Sequence, residues 1–300
     1  MTTQIEEMFR QAGCDGQLCV QSLKGDLEAV VHADQPVAQA SVFKVQVALE
    51  AETAFADGRL DPTQRVILPA SVRTAGPSGF SLYQDDVAVT LRDLVVPMLT
   101  ISDNVATDVL LDRVGIDAVN ATAARLKLTG TQVVSDVRTM LDAIGRSAGF
   151  GGWAELTAWD SQPHSQADDD EIGRRSRAML TPEHTNRTTP RDMARLLRLI
   201  WTDEAGPAAA CARVRQVMGH QLTRNRLAAA FRPHALVAAK SGSLLGLIRN
   251  EIGVISYPDG RAYAAAVYTQ GHRPGEDETA IDAAIGSAAA AAVRSLIQAA

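Results

Sequence analysis

Ser41-Val42-Phe43-Lys44-Val45-Gln46-Val47-Ala48-Leu49 is the stretch on which the reading of this chain turns. A serine and a lysine three residues apart open a run of apolar residues, and on a helix that spacing sets both side chains on one face. A nucleophile and a candidate base then lie side by side. A serine hydroxyl attacks poorly unless a neighbour removes its proton, and burial near other cations lowers a lysine's pKa far enough to let it serve. The N-terminus of a helix also favours negative charge developing near Ser41. Alone, a Ser-x-x-Lys occurs about once by chance in a chain of this length, and a capping serine with an exposed lysine explains it as well.

Two further elements change that balance. Ser102-Asp103-Asn104 falls between helical patterns at Leu91–Thr100 and Val105–Val114, and Lys240-Ser241-Gly242 ends a strand pattern. Each has a plain explanation, a helix cap for the first and a glycine-bearing turn for the second. Their joint appearance, in this chain order, points to a site.

Composition bounds the rest. The chain has 300 residues, 46% of them hydrophobic, enough for a full core in one large or two ordinary domains. A net charge of −6, with Lys and Arg scattered among acids, offers no footprint for nucleic acid. The apolar stretches at Leu94–Leu99 and Ala288–Val293 are too short or too rich in small residues to span a bilayer. Met1–Arg10 carries acids where a secretory signal needs a basic start and an apolar run, so the chain as it stands is expected in the cytoplasm, and in the periplasm or medium if it is a mature form. Cys14, Cys19 and Cys211 lack metal-ligand spacing with the six scattered histidines and read as core thiols. No metal or organic cofactor is implied, and a monomer is expected.

Gln4–Gln11 reads as a helix, followed by strands at Gln17–Leu23 and Glu28–His32 about a turn near Lys24-Gly25-Asp26. Leu236–Lys240, Asn250–Tyr257 and Arg261–Thr269 read as strands, the last two joined across Pro258-Asp259-Gly260, and an alanine-rich helix at Asp277–Ala299 closes the chain. Between these ends the pattern is helical: Val42–Asp57, Leu91–Thr100, Val105–Val114, Asp117–Leu128, Arg191–Trp201 and Ala208–Met218. Thr189-Pro190-Arg191-Asp192 reads as a capping box with proline at the first helical position. Gly149–Ala154 reads as a loop, and Asp168-Asp169-Asp170-Glu171 with Arg174-Arg175 as a solvated charge run in a long surface loop. The expected fold is α/β (α+β), with a discontinuous domain from residues 1–40 and 220–300 and an inserted all-α domain over 41–219.

The three elements together are the signature of class A β-lactamases and penicillin-binding proteins, and the chain resembles that superfamily over nearly its whole length. Asn186-Arg187-Thr188-Thr189-Pro190 adds to the likeness, since it is similar to the segment that follows the family's active-site loop. The resemblance implies an antiparallel sheet joining both chain ends and a site between two domains. It implies Ser41 as nucleophile, Lys44 as its proton acceptor, Ser102 as relay to the leaving nitrogen, Asn104 on the substrate amide and on Lys44, and Asp103 as structural. It places Lys240 and Ser241 on the substrate's carboxylate beside Gly242, the backbone N–H groups of Ser41 and Ser243 in the oxyanion hole, and Arg249 on that carboxylate. The family's Glu-x-x-Leu-Asn, whose glutamate activates the deacylating water, is missing, and Glu171 and Glu183 are the nearby candidates.

The expected function is therefore a serine hydrolase forming an acyl-enzyme at Ser41 on a β-lactam or related amide. The alternatives are a D-alanyl peptidase, amidase or esterase on the same scaffold, and a sensor or binding protein that is acylated once. Gly76-Pro77-Ser78-Gly79-Phe80 misses the nucleophile-elbow pattern at its last position, which counts against a Ser-His-Asp hydrolase.

Overall fold

The protein is described by a computed structural model covering residues 1–273 and 277–300. Its first elements are α1 (Thr2–Gln11), β1 (Cys14–Ser22), β2 (Glu28–Val31) and β3 (Val37–Ala38). A 3-10 turn over Ala40–Phe43 leads into α2 (Lys44–Ala56), followed by β4 (Arg65–Leu68) and β5 (Val87–Thr90). Then come α3 (Leu91–Thr100), α4 (Asn104–Val114), α5 (Ile116–Arg125), α6 (Val137–Ser147), α7 (Trp153–Asp160) and α8 (Gln166–Arg177). The chain ends with β6 (Arg187–Thr188), α9 (Pro190–Trp201), α10 (Ala208–Met218), α11 (Leu227–Phe231), β7 (Leu236–Leu244), β8 (Ile248–Ser256), β9 (Ala262–Gly271) and α12 (Glu278–Ala299).

Five antiparallel strands from both chain ends form one sheet in the order β2-β1-β9-β8-β7. Leu18 of β1 lies opposite Val267 of β9, which closes the two ends on each other. Both sheet faces are covered, so β8 is buried from Ile248 to Ile255. The side chains still alternate: Leu18, Val20, Ala265 and Val267 pack under α1, α11 and α12, while Cys19, Ala264, Ala266 and Tyr268 face α9. Ala288, Ala289 and Ala292 of α12 are fully buried, and their small side chains let that helix lie close on the sheet. Alone among the described helices, α12 is long and apolar enough to cross a membrane, and its apolar side is spent on this core. Cys14, Cys19 and Cys211 are buried thiols.

The stretch read as all-α departs from that reading. It holds an antiparallel ribbon of β4 and β5, and β6 pairs with β3, Thr188 opposite Val37. The charge run from Asp168 to Arg175 lies on α8 and not in a loop; Ser165 and Asp168 form a capping box, and Glu171 pairs with Arg174 and Arg175 one turn on. At Thr189 only half of the expected box forms. Thr189 accepts from the Asp192 N–H, but the Asp192 carboxylate accepts instead from Gly130 N–H at 2.8 Å and Thr131 Oγ1 at 2.9 Å. Helix α9, although within the stretch assigned to the helical domain, packs across β1 and β9.

Asp282 of α12 ties three elements behind the sheet edge. Its Oδ1 accepts from Arg226 Nε and Arg249 Nε, each at 2.7 Å, and its Oδ2 from Arg249 Nη2 at 2.7 Å and Asn225 Nδ2 at 2.6 Å. Removing one partner from such a buried pair strands the opposite charge and costs about 3–5 kcal/mol. Asp282→Ala is expected to lower unfolding stability by that amount, with Asp282→Asn losing less, as read by urea denaturation.

Candidate active site

Ser41 sits on the 3-10 turn that feeds α2, and the turn is clamped from three sides. Gln39 N–H donates to Asn186 O at 2.8 Å, and Gln39 Nε2 donates to Arg187 O at 2.9 Å. Asn250 Nδ2, from the middle of β8, donates to Ala38 O at 3.0 Å. Gly242 of β7 closes the remaining side. A Cβ there would come within 3.0 Å of Ser41 N and 3.1 Å of Gln39 O, so glycine is what lets the strand lie against the nucleophile's amide. Ala40 has φ +46°, a left-handed conformation unusual for alanine, and these bonds hold it there.

Lys44 is fully buried. Its Nζ donates to Ser102 O at 2.6 Å, Ser102 Oγ at 3.1 Å and Asn104 Oδ1 at 2.7 Å. Ser102 meets it from a second left-handed position, φ +62°, which turns carbonyl and hydroxyl toward the same ammonium. Asp103 caps α4 by accepting from Ala106 N–H at 2.9 Å, and its other oxygen accepts from Phe80 N–H at 2.7 Å. Both oxygens of that carboxylate are thus taken up by backbone N–H groups. Ser78, the serine of the incomplete elbow motif, donates to Ile101 O at 2.8 Å and serves the same loop. Burial brings the Lys44 pKa down to about 7, against the opposing pull of Asp103 and Asp108. That shift favours the neutral amine, the form of Lys44 that can accept a proton.

Lys240 is also buried, with Nζ donating to Ser241 O at 2.6 Å. Burial, with Lys44 and Arg226 nearby, holds its pKa well below the usual lysine value, although Glu251 pulls the other way. Glu251 is anchored behind the strand, accepting from Leu227 N–H at 2.6 Å and Gln221 Nε2 at 2.8 Å, and burial raises its pKa. Lys240, Arg226 and Arg249 gather at this strand edge with Asp282, Glu278 and Glu251 behind them.

Ser41, Ser102, Asn104, Ser241 and Ser243 line one cleft of about 630 Å³, together with Trp153, Thr157 and Leu245. Arg249 stands apart from it. Its guanidinium is held by Asp282 and, through Nη1 at 2.5 Å, by Glu278, and it lines an adjoining cleft that shares Ser243. A further cation, Arg226, which the sequence reading missed, bonds to the cleft residue Ser243. Arg226 Nη2 donates to Ser243 Oγ at 2.7 Å, and Nη1 donates to Gly242 O at 3.0 Å and Asn250 O at 2.6 Å. Neither Glu171 nor Glu183 lines the Ser41 cleft. Glu171 is paired on α8, Glu183 is exposed, and among the described residues no carboxylate lines the Ser41 cleft. The described residues also hold no group of three or more His, Cys, Asp or Glu arranged to bind a metal ion.

Known proteins agree with this architecture. A sequence model of the β-lactamase enzyme family matches residues 1–296. The chain is 25% identical, over 93% of its length and 92% of the relative's, to the β-lactamase regulatory protein BlaB of Streptomyces cacaoi. Among solved structures it shares its fold with a β-lactamase from Sphaerobacter thermophilus, at TM-score 0.77 and 22% identity over 99% of this chain and 96% of the other. It shares it equally with a mutant of PBP-A determined as an acyl-enzyme complex with penicillin G, at TM-score 0.76 and 20% identity over 99% and 96%. With a family match across almost every residue and the fold to go with it, this chain belongs to the β-lactamase enzyme family.

Proposed function

We propose that this protein forms an acyl-enzyme at Ser41 with a β-lactam or a related amide and releases the acyl group slowly, so that it serves as an acyl-accepting β-lactam-binding or sensing protein more than as an efficient hydrolase. The observation that carries this reading is a cleft holding Ser41 and Ser102, with Lys44 directly behind Ser102, and no carboxylate lining it among the described residues. In the acylation step Ser41 Oγ attacks the carbonyl carbon and its proton passes to neutral Lys44. The oxyanion is held by the N–H groups of Ser41 and Ser243, each donor worth about 3 kcal/mol. The C–N bond then breaks, and the leaving nitrogen takes a proton through Ser102, which Lys44 replenishes. The carboxylate of the ligand meets Ser241 and Ser243, with Arg226 behind Ser243 supplying countercharge.

Deacylation needs a base aligned with a water on the acyl carbon, and general-base catalysis supplies about 10²–10⁴-fold. The similarity to a relative named as a β-lactamase regulatory protein is in keeping with a stable adduct as the working signal.

Intact-protein mass spectrometry after mixing with penicillin G tests the reading. A one-to-one adduct that persists for minutes or longer, absent in Ser41→Ala, is expected. An adduct that clears within a second with product release means a working hydrolase with a base outside this cleft, and labelling that survives Ser41→Ala refutes the site. The same assay across esters and D-alanyl peptides separates a peptidase or esterase.

The pH dependence has a definite sign. Lys44 serves as base only when neutral, so the acylation rate is expected to rise as pH passes through about 7 and to level off above it. Lys44→Arg keeps the charge but does not deprotonate, and is expected to lose at least about 100-fold together with the pH dependence. Gly242→Ala, which pushes β7 off Ser41 N, is expected to slow acylation about tenfold or more with an unchanged circular dichroism spectrum.

A further inference from the structure

Asp108 stands one turn after Asn104 on α4, on the same face of that helix. The acylation steps above do not use it, yet three donors from outside α4 converge on its carboxylate. Oδ2 accepts from Thr74 Oγ1 at 2.6 Å and from Arg138 N–H at 3.1 Å, and Oδ1 accepts from Val137 N–H at 2.8 Å. The two N–H groups open α6, so a carboxylate of one helix holds the first turn of another.

Thr74 is buried and begins a strap whose next residues, Ala75, Gly76 and Pro77, line the Ser41 cleft. Ala75 O accepts from Asn104 Nδ2 at 2.7 Å, and a Cβ on Gly76 would come within 3.1 Å of that nitrogen, so the strap lies tight on the Asn104 amide. An amide has an acceptor end and a donor end of nearly the same shape. Lys44 Nζ needs the acceptor end, at 2.7 Å, and the bond from Nδ2 to Ala75 O turns it that way. The Asp108 charge reaches Lys44 as well: with Asp103 it raises the lysine's proton affinity, against the larger lowering by burial. Lys240 faces Lys44 from β7, and Asp136 and Arg138 face Asp108 from the start of α6, the Arg138 guanidinium being taken by Val72 O at 2.6 Å. Burial raises the pKa of Asp108 itself, and its three hydrogen bonds oppose that.

We propose that Asp108 is a positioning residue for the acylation step: through Thr74 and Ala75 it fixes the Asn104 amide on Lys44, and its carboxylate serves the buried ammonium as a countercharge without touching it. The inference deepens the acyl-enzyme reading above and rests on it for the reaction.

Second-order constants for acylation by penicillin G, read by mass as a function of pH, separate the two effects. Thr74→Val cuts the bond to Asp108 and leaves the charge, so its plateau rate is expected to fall about tenfold with the midpoint unmoved, while Thr74→Ser, which keeps the hydroxyl, stays within about threefold of the parent. Asp108→Asn can still accept from Val137 N–H but carries no charge. Without that charge the ammonium gives up its proton more readily, so the midpoint is expected to drop by about half a pH unit or more from the parent's, which lies at about 7. A Thr74→Val rate within twofold of the parent, a loss that Thr74→Ser shares in full, or an Asp108→Asn midpoint that does not move overturns the proposal. Failure of acylation itself is read apart. The chain has four lysines, Lys24, Lys44, Lys127 and Lys240, so ε-13C-lysine NMR on Ser41→Ala follows each of them, with Lys44 identified by its loss in Lys44→Arg. A Lys44 titration midpoint that falls on adding Asp108→Asn supports the countercharge even where no acyl-enzyme forms, an outcome that refutes only the reading of the reaction. An unmoved midpoint overturns the proposal whatever Ser41 does.

Discussion

One buried ammonium organises this molecule. Lys44 is fully buried, so its donors are met by the protein, at Ser102 O, Ser102 Oγ and Asn104 Oδ1. That requirement draws the connection between α3 and α4 onto the N-terminal end of α2. Ser102 stands in a left-handed conformation there and directs its carbonyl and hydroxyl to the same nitrogen. The same burial that demands these partners lowers the lysine's affinity for its proton. Structure and reactivity at this position share one physical cause.

The second constraint is the seating of β7 against the Ser41 turn. The absence of a side chain at Gly242 sets the approach, Asn250 anchors the turn from the neighbouring strand, and Arg226 fills the space behind, bonded to carbonyls of both strands. Arg226 and Arg249 converge on Asp282, so the closing helix, far away in sequence, holds the charge balance of the strand edge next to the nucleophile. Burial, first of all, lowers the proton affinities of Lys240 and Arg226 in this region.

The central sheet was legible because β1 and β2 were read as alternating, the later strands are short apolar runs, and the hairpin turns carry glycine and proline; α9 was legible because Thr189 and Pro190 mark its start. Helix α8 was not, since along Gln166–Arg177 only one large apolar residue, Ile172, interrupts the polar sequence, and no stripe announces a buried face. Helix α6 did carry a signal: Val137, Met140, Leu141 and Ile144 recur at helical spacing behind the cap at Asp136. The Asp192 carboxylate misled because Gly130 and Thr131, distant in sequence, compete for it more favourably than its own helix terminus. Arg249 misled in the same way, because the groups that capture its guanidinium lie on α12.

By itself the sequence determined the strand patterns at both chain ends, the helical stretch between and the three motifs, while the resemblance supplied the pairing of the strands and the roles expected around Ser41. The patterns follow from local rules, since periodicity, caps and turns act within a few residues and the three motifs stand out in chain order. Tertiary structure alone decided which cation touches Ser243, the left-handed turns at Ala40 and Ser102, and the separation of Glu171 and Glu183 from the Ser41 cleft. Each of these depends on which distant group satisfies a buried donor or fills a gap, and that competition is settled only when the whole chain has packed.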